Sequence, residues 1–309
     1  MSARRKFTVG TRGSRLALIQ THLVVEALRK KNTDFEIDVR EIRTEGDRRP
    51  GESLAAIGGQ GVFVKEIEAA LLRREIDLAV HSLKDVPAGL ADGCVIAAMP
   101  QRADPRDALV TREGAMLADL RPGARIGTGS ARRAVQIRAL RNDIDPADIR
   151  GNVETRIRKV DEGQYDAAVL AVAGLVRLGL LDRASQIFDA DVLIPAVGQG
   201  ALAVEARAND TELLDLLVGI DDKNARLAAE AERAFLQRLG GGCRLPFGAL
   251  AEIDGATLSM RGFLATDGAA ELFRAELSGD VSKHLELGIN LADELLSQNA
   301  AYNIPSTGP

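Results

Sequence analysis

The run DLAVHSLKDVP, residues 77–87, decides the fold. Its first half is short and apolar, as in a strand buried on both faces. Its second half turns abruptly polar: His81, Ser82, Lys84 and Asp85 follow one another closely, and Pro87 stops the segment. Just before it, VFVKEIEAALLRRE (62–75) places Phe63, Ile67, Ala70 and Leu71 at helical spacing. A buried strand after an amphipathic helix is the repeating piece of an α/β fold, a parallel, doubly wound sheet covered by helices.

The alternation extends in both directions. Upstream, Phe7 to Gly10 predicts a strand. Ser14 then caps a helix that carries Leu16, Ile19, Leu23 and Ala27 on one face. FEIDVREIR (35–43) alternates as a strand. Residues 44–61 are polar and glycine-rich without sustained periodicity, and a loop of that length in a compact domain is usually functional, often a lid. Downstream, PQRADPRD (100–107) is a proline-rich break and a domain crossing. The alternation then resumes with RIGT into a helix from Ser130, DIRG into VETRIRKVDEG, and DAAVLAV into AGLVRLGL. A second break, LIPAVGQG (193–200), precedes strand ALAVEA and a helix at 211–219. Past residue 220 the pattern changes. A helix at 225–239 is followed by strand candidates GALAEI, ATLSMRGFL and AAELFRAEL, and by a closing helix around 283–298, an α+β pattern. No internal sequence repeat stands out.

Composition narrows the function. A chain of 309 residues exceeds one typical core, so two or three domains are expected. The net charge of −5 argues against a polyanion binder of the basic-patch kind, and the lack of Trp argues against stacking platforms for nucleic acid. Cys94 and Cys243 lie far apart, with no CxxC or Cys/His spacing, so no metal centre is expected. The opening MSARRKFTVG lacks a following apolar stretch, and no run reaches the length of a membrane span. The expected compartment is the cytoplasm, with both thiols reduced.

Arginines and hydroxyls recur where strands end and helices begin. Arg12 and Ser14 follow the first strand. Thr128, Ser130, Arg132 and Arg133 follow RIGT. Arg150 and Asn152 end another strand, with Arg156 one turn into its helix. Ligands of open α/β sheets bind at the carboxyl ends of strands, where helix N-termini attract anions and Arg grips carboxylates with a planar fork. Together they suggest a pocket for a ligand with several negative groups. The bland alternative for any one arginine is a solvated helix face, as expected for Arg138, Arg141 and Arg158. Asp85 is either a carboxylate that moves protons or stabilises a cation, tuned by Lys84, or half of an ion pair capping a turn. His81 is either a base or a satisfied buried histidine. Cys243, in GGGCRLP, is either a small residue at a helix end or an accessible, reactive thiol beside Arg244. Cys94 sits in an apolar run and is expected in the core. A Cys94–Cys243 disulfide is disfavoured by the compartment.

Taken together, the blocks GTRGSRLAL, GGQGVFVKEIE, DLAVHSLKDVP, RADPRDALV, IGTGSARR, IRGNVETRI, YDAAVLAVAGLVRLG, IPAVGQGAL and GGGCRLPFGA resemble the porphobilinogen deaminase family over almost the whole chain. The resemblance implies two doubly wound domains similar to type II periplasmic binding protein lobes and a small α+β C-terminal domain. It divides the chain into 1–101 with 198–220, 102–197, and 221–309. It implies a transferase that joins four porphobilinogen molecules head to tail, with release of ammonia, into hydroxymethylbilane. The implied cofactor is a dipyrromethane primer held by a thioether to Cys243. The implied partners are porphobilinogen and the growing oligopyrrole, without nucleic acid or membrane, and the family is expected to be monomeric. Asp85 takes the place of the catalytic carboxylate. Lys84, Thr128, Ser130, Arg132, Arg133 and Arg156 take those of cofactor-binding groups. Arg12, Ser14, Arg150 and Arg177 take those of substrate-binding groups. Gln60, Ala56, Arg15 and Gly129 depart from frequent Lys, Lys, Pro and Ser, which weakens a charge role for the 44–61 loop. A non-catalytic polycarboxylate-binding module is the runner-up. A thiol-transfer enzyme comes third, for want of a resolving cysteine.

Overall fold

The computed structural model describes residues 5–31, 35–44, 64–240, 246–266 and 271–298. Three sheets organise them. The first is built from β1 (Arg5–Thr11), β2 (Phe35–Glu41), β3 (Leu78–Ser82), β4 (Cys94–Ala98) and β10 (Leu202–Arg207), in the order β2-β1-β3-β10-β4. The second is built from β5 (Asp107–Thr111), β6 (Arg125–Gly127), β7 (Asp145–Ala147), β8 (Ala167–Ala171) and β9 (Gln186–Ile187), in the order β7-β6-β8-β5-β9. Both follow one plan. Three parallel strands lead, and a strand that has just crossed from the other sheet enters antiparallel beside the third. The sheets are therefore mixed rather than wholly parallel, and the two halves share a topology that leaves no repeat in the sequence.

The helices around the first two sheets are α1 (Arg15–Lys31), α2 (Lys65–Leu72), α3 (Ala131–Leu140), α4 (Val153–Asp161), α5 (Val172–Leu178) and α6 (Thr211–Val218). The expected start signals at Ser14 and Ser130 hold: Ser14 Oγ accepts the Ala17 N–H at 3.2 Å and Ser130 Oγ the Arg133 N–H at 3.4 Å. Asn152, read as the end of a strand, caps α4 instead, its Oδ1 accepting the Thr155 N–H at 2.8 Å. β3 is buried as its composition demands, and Ile67, Ala70 and Leu71 of α2 pack beneath it with Ile76. Phe63 lies outside the described residues.

Two readings shift. The buried stripe of α1 is Gln20, Thr21, Val24, Val25 and Leu28, whereas Leu23 is 44% exposed. Val24, Val25 and Leu28 join the first sheet's core, while Leu16 and Gln20, nearer the start of the helix, line a cleft. The strand placed at DIRG lies three residues earlier, at Asp145–Ala147, because Thr128 and Gly127 pair there and leave Ile149 to plug the core.

The third sheet is an antiparallel meander of β11 (Phe247–Asp254), β12 (Thr257–Ala265) and β13 (Leu272–Asp280), covered by α7 (Lys223–Arg238) and α8 (His284–Gln298). Phe235, Leu236, Met260, Leu264, Leu291 and Leu295 form its core. Burying side chains of this size contributes about 1.5–3 kcal/mol each. The two helices approach so closely that a Cβ on Gly288 would stand 2.1 Å from the Ala231 carbonyl oxygen. Only glycine fits there.

The two crossings run side by side. Gly200, at φ +88°, packs against Ala103, where a Cβ would meet the carbonyl at 2.4 Å. Glu232 of α7, fully buried, fastens both crossings to the third sheet. It takes Arg102 at 2.6 Å and 3.2 Å, the Gly198 N–H at 2.6 Å and the Ala251 N–H at 2.9 Å.

Candidate active site

β3 ends in a single 3₁₀ turn, Leu83–Asp85. Leu83 and Val86 are buried, and the Leu83 N–H donates to the Ala201 carbonyl at 3.1 Å. With both flanking side chains anchored inward, Lys84 and Asp85 are turned out to solvent. Three adjoining hollows meet at this turn. One, of about 80 Å³, is lined by Arg12, Ser14, Gln20, His81, Ser82 and Asp85. One, of about 120 Å³, reaches from Lys84 and Asp85 to Arg133, Arg156 and Arg177 of the second sheet's helices. One, of about 160 Å³, runs from Lys84 past Ser130 and Arg132 to Arg233 and Phe247. Volume alone would point elsewhere. A hollow of about 350 Å³ lies behind β4, lined by Cys94, Met99, Arg226 and Glu230. There Arg226 is already held by Asp221 at 2.7 Å, so charge convergence, not size, marks the site.

The arginines expected on sequence grounds divide by their partners. Arg132 and Arg133 are buried and share one carboxylate. Arg132 Nη2 reaches Asp107 Oδ2 at 2.7 Å, and Arg133 Nη2 reaches Oδ1 at 2.6 Å. Burial pushes the Asp107 carboxyl up, but the Arg132 and Arg133 charges outweigh it and hold it far below its ordinary range. Arg132 also donates to the Ile194 carbonyl at 2.6 Å, yet its Nε is buried with no partner among the described residues. Arg156 gives its Nε to the Gly151 carbonyl at 2.8 Å, and Arg177 gives Nη2 to the Gly200 carbonyl at 2.8 Å. Burial lowers both to about 10, and for Arg156 the neighbouring Arg133 and Arg150 add to it. Such cations gain from an anionic ligand. Arg150 is turned to Asp148 at 2.8 Å. The Thr128 hydroxyl accepts the Ser130 N–H at 3.2 Å, shaping the turn from within. Cys243 lies outside the described residues, as do Gln60, Ala56 and most of 44–61. Phe247, four residues after Cys243, lines the hollow that holds Arg132 and Lys84.

Lys84 lines the cleft wall, where burial, then the Arg133 charge, lowers it to about 8. His81 is the satisfied alternative: its Nε2 meets Glu205 Oε2 at 2.9 Å, both buried. Cys94 is a free core thiol pushed up to about 12 by burial and then by Glu205. Arg138 and Arg158 are exposed as expected. Arg141 departs from that reading, because its guanidinium holds the Leu117, Ala118 and Leu120 carbonyls at 2.9–3.1 Å. Gly129 is closely packed: a Cβ there would stand 3.3 Å from the Ile149 carbonyl oxygen, so a side chain would need the neighbouring backbone to give slightly.

Sequence reasoning missed Asp107 and Gln199, which lie inside the two segments set aside as breaks. The available signals were an acid opening a buried run in PRDALV and an amide between two glycines in VGQG. Among the described residues no cluster of His, Cys, Asp and Glu suits a metal ion, and no helix is long and apolar enough to cross a membrane.

Residues 7–215 match the family model described as porphobilinogen deaminase, dipyrromethane cofactor binding domain, and residues 226–297 match the porphobilinogen deaminase C-terminal domain. The porphobilinogen deaminase of Roseiflexus sp. (strain RS-1) is 54% identical over 94% of this chain and 95% of its own length. That of Syntrophobacter fumaroxidans is 46% identical over 96% of both. A periplasmic binding protein of Salmonella typhimurium with high arginine specificity aligns at a TM-score of 0.40 and 13% identity, over 70% of this chain and 92% of that one.

Proposed function

The chain belongs to the porphobilinogen deaminase family, and from that premise we propose which of its residues carry the reaction. The enzyme is a transferase that joins four porphobilinogen molecules head to tail into hydroxymethylbilane, releasing ammonia at each addition, on a dipyrromethane primer. Every pyrrole unit brings an acetate and a propionate, so primer and product are polyanions. The observation that carries the residue assignment is the meeting of Asp85 with Lys84, Arg133, Arg156 and Arg177 in one cleft fed by both sheets.

The donor set suits the primer. Arg132 Nε is a buried donor in want of an acceptor, and Ser130 opens α3, whose first N–H groups favour an anion. Lys84, Thr128, Ser130, Arg132, Arg133 and Arg156 hold the primer, and Cys243 tethers it through a thioether. When bound, the primer supplies the nucleophilic pyrrole carbon that begins chain growth. Arg12, Ser14, Arg150 and Arg177 receive the incoming substrate's carboxylates. Loss of ammonia leaves a substrate-derived cation, and the Asp85 carboxylate stabilises it where the charge develops. The same carboxylate accepts the proton released from the pyrrole once the new C–C bond has formed.

Three units fit this work: 1–101 with 198–220, 102–197, and 221–309. Separate cores lie under the three sheets, which supports the division. We take the enzyme to act as a monomer in the cytoplasm, which light scattering and cell fractionation check. Intact-mass spectrometry tests the tether. Freshly purified active protein should exceed its sequence mass by one dipyrromethane, and Cys243→Ser should return it to the bare mass. An unmodified active enzyme would sink the assignment.

A further inference from the structure

Gln199 sits on the second crossing and is 1% exposed. Its Nε2 donates to the Pro105 carbonyl at 2.7 Å and to Asp107 Oδ1 at 2.8 Å. Those acceptors fix the amide's orientation. Reversed, its oxygen would face a carboxylate and a carbonyl, and its NH₂ would face cations. As oriented, Oε1 lies 3.5 Å from Lys84 Nζ and 3.5 Å from Arg133 Nη2. Lys84 belongs to the turn after β3, in the first sheet, and Arg133 to α3, beside the second. The backbone carbonyl of Gln199 is held in turn by Arg102 Nε at 2.9 Å. The amide is thus clamped from both ends at the point where the two sheets' cations meet.

We propose that Gln199 is a positioning residue of the cleft: with its NH₂ anchored on Asp107, its amide oxygen keeps the Lys84 ammonium charged and aimed across the cleft at the carboxylates that Arg133 also grips. This rests on the cleft being the porphobilinogen site. Lys84 is the cation most in need of such help. Arg133 and Arg132, on α3, disfavour its charge. Asp85, on its own turn, and Asp107, at the head of β5, favour it. Burial, then the Arg133 charge, lowers Lys84 from its ordinary value, so its charge is lost more readily as pH rises. An acceptor at its side stabilises the ammonium more than the neutral amine, so removing that acceptor makes the charge disappear at lower pH. The consequence therefore falls on Lys84.

The test is kcat/KM for porphobilinogen consumption against pH, with holoenzyme of the wild type, Gln199→Met and Gln199→Asn. The alkaline limb should move to lower pH by about half a unit in Gln199→Met. The rise in KM should exceed the fall in kcat. Gln199→Asn keeps an amide but draws the oxygen back by one methylene, and should shift the limb the same way by less. Independently of turnover, the pH midpoint for acetylation of Lys84 by limiting acetic anhydride, read by peptide mass spectrometry, should move with the limb. A folded variant in which limb and labelling midpoint both stay at the wild-type pH overturns the proposal. Should Gln199→Met not fold, the labelling midpoint of Gln199→Asn decides. Should the wild type not consume porphobilinogen, the fault lies with the functional reading, and the labelling comparison still decides the role of Gln199.

Discussion

The two strand-end turns that meet in the cleft are built to opposite plans. After β6, Arg132 and Arg133 are buried and share the fully buried Asp107, so two positive charges are offset by one negative. After β3, Lys84 and Asp85 are open to solvent on a turn whose neighbours are anchored. The first turn is fixed by its charges, and its arginines spend most of their donors on the protein. The second is fixed by Leu83 and Val86, so its carboxylate is not spent on holding the turn. A group that must answer a charge appearing on the substrate belongs on the second kind of turn.

Asp85→Asn is the sharpest way to break that contrast. The side chain is exposed and its neighbours hold the turn, so the melting temperature should stay within about a degree. Turnover should fall by roughly 10²–10³-fold, the scale of a lost charge stabiliser or proton acceptor. Single-turnover ammonia release and differential scanning calorimetry measure the two quantities. Near-normal turnover would remove Asp85 from the chemistry and leave it as a turn-capping ion pair.

Asp107→Asn should do the reverse. It leaves two arginines buried beside a neutral amide, at a cost of about 3–5 kcal/mol. Denaturant unfolding should show that loss before any kinetic effect is considered. The dependence on pH follows from the direction of the shift. The folded Asp107 carboxyl lies below its unfolded value, so its stabilisation is complete above the ordinary aspartate range, near pH 4. It is lost as pH falls toward the depressed folded value. The gap between wild type and variant should therefore hold steady from about pH 5 upward and close only in stronger acid. A gap that closes near neutrality would mean that Asp107 is not the ion holding the arginines.

That asymmetry also explains what the sequence made legible. β3 was readable, because a fully buried strand needs unbroken apolar residues, and its polar tail marks where the chain leaves the core. Two helix starts were readable from Ser14 and Ser130, since each cap is a local bond three residues long. The buried face of α1 was misread. Its start borders the cleft, so Gln20 is buried against Ser82 at 2.8 Å while Leu23 faces solvent. Asp107 and Gln199 were missed because their partners lie 26 and 94 residues away in sequence. Periodicity carries no trace of such pairs. Lys84, Asp85, Arg133, Arg156 and Arg177 do line one hollow, but which arginines were already neutralised depended on an acid inside a segment that looked like a linker.

The smallest effect should come from Arg15. Its guanidinium meets Glu154, joining the start of α1 to the start of α4 across the mouth of the cleft. Position alone would suggest a latch between the two halves. Energetics argue otherwise: the side chains are 61% and 36% exposed, so water and salt screen the pair. Exposed pairs contribute roughly 0–1 kcal/mol, well below the cost of about 3–5 kcal/mol for removing one partner of a buried pair such as Arg102–Glu232, which ties the first crossing to α7. Arg15→Ala should therefore leave unfolding within about 0.5 kcal/mol of wild type and change kcat/KM less than about twofold. What remains of the effect should vanish in about 0.5 M salt. A larger, salt-resistant change in KM would place control of the cleft's width at its rim, and would take it away from the buried contacts of Glu232, Asp107 and Gln199 at the crossings.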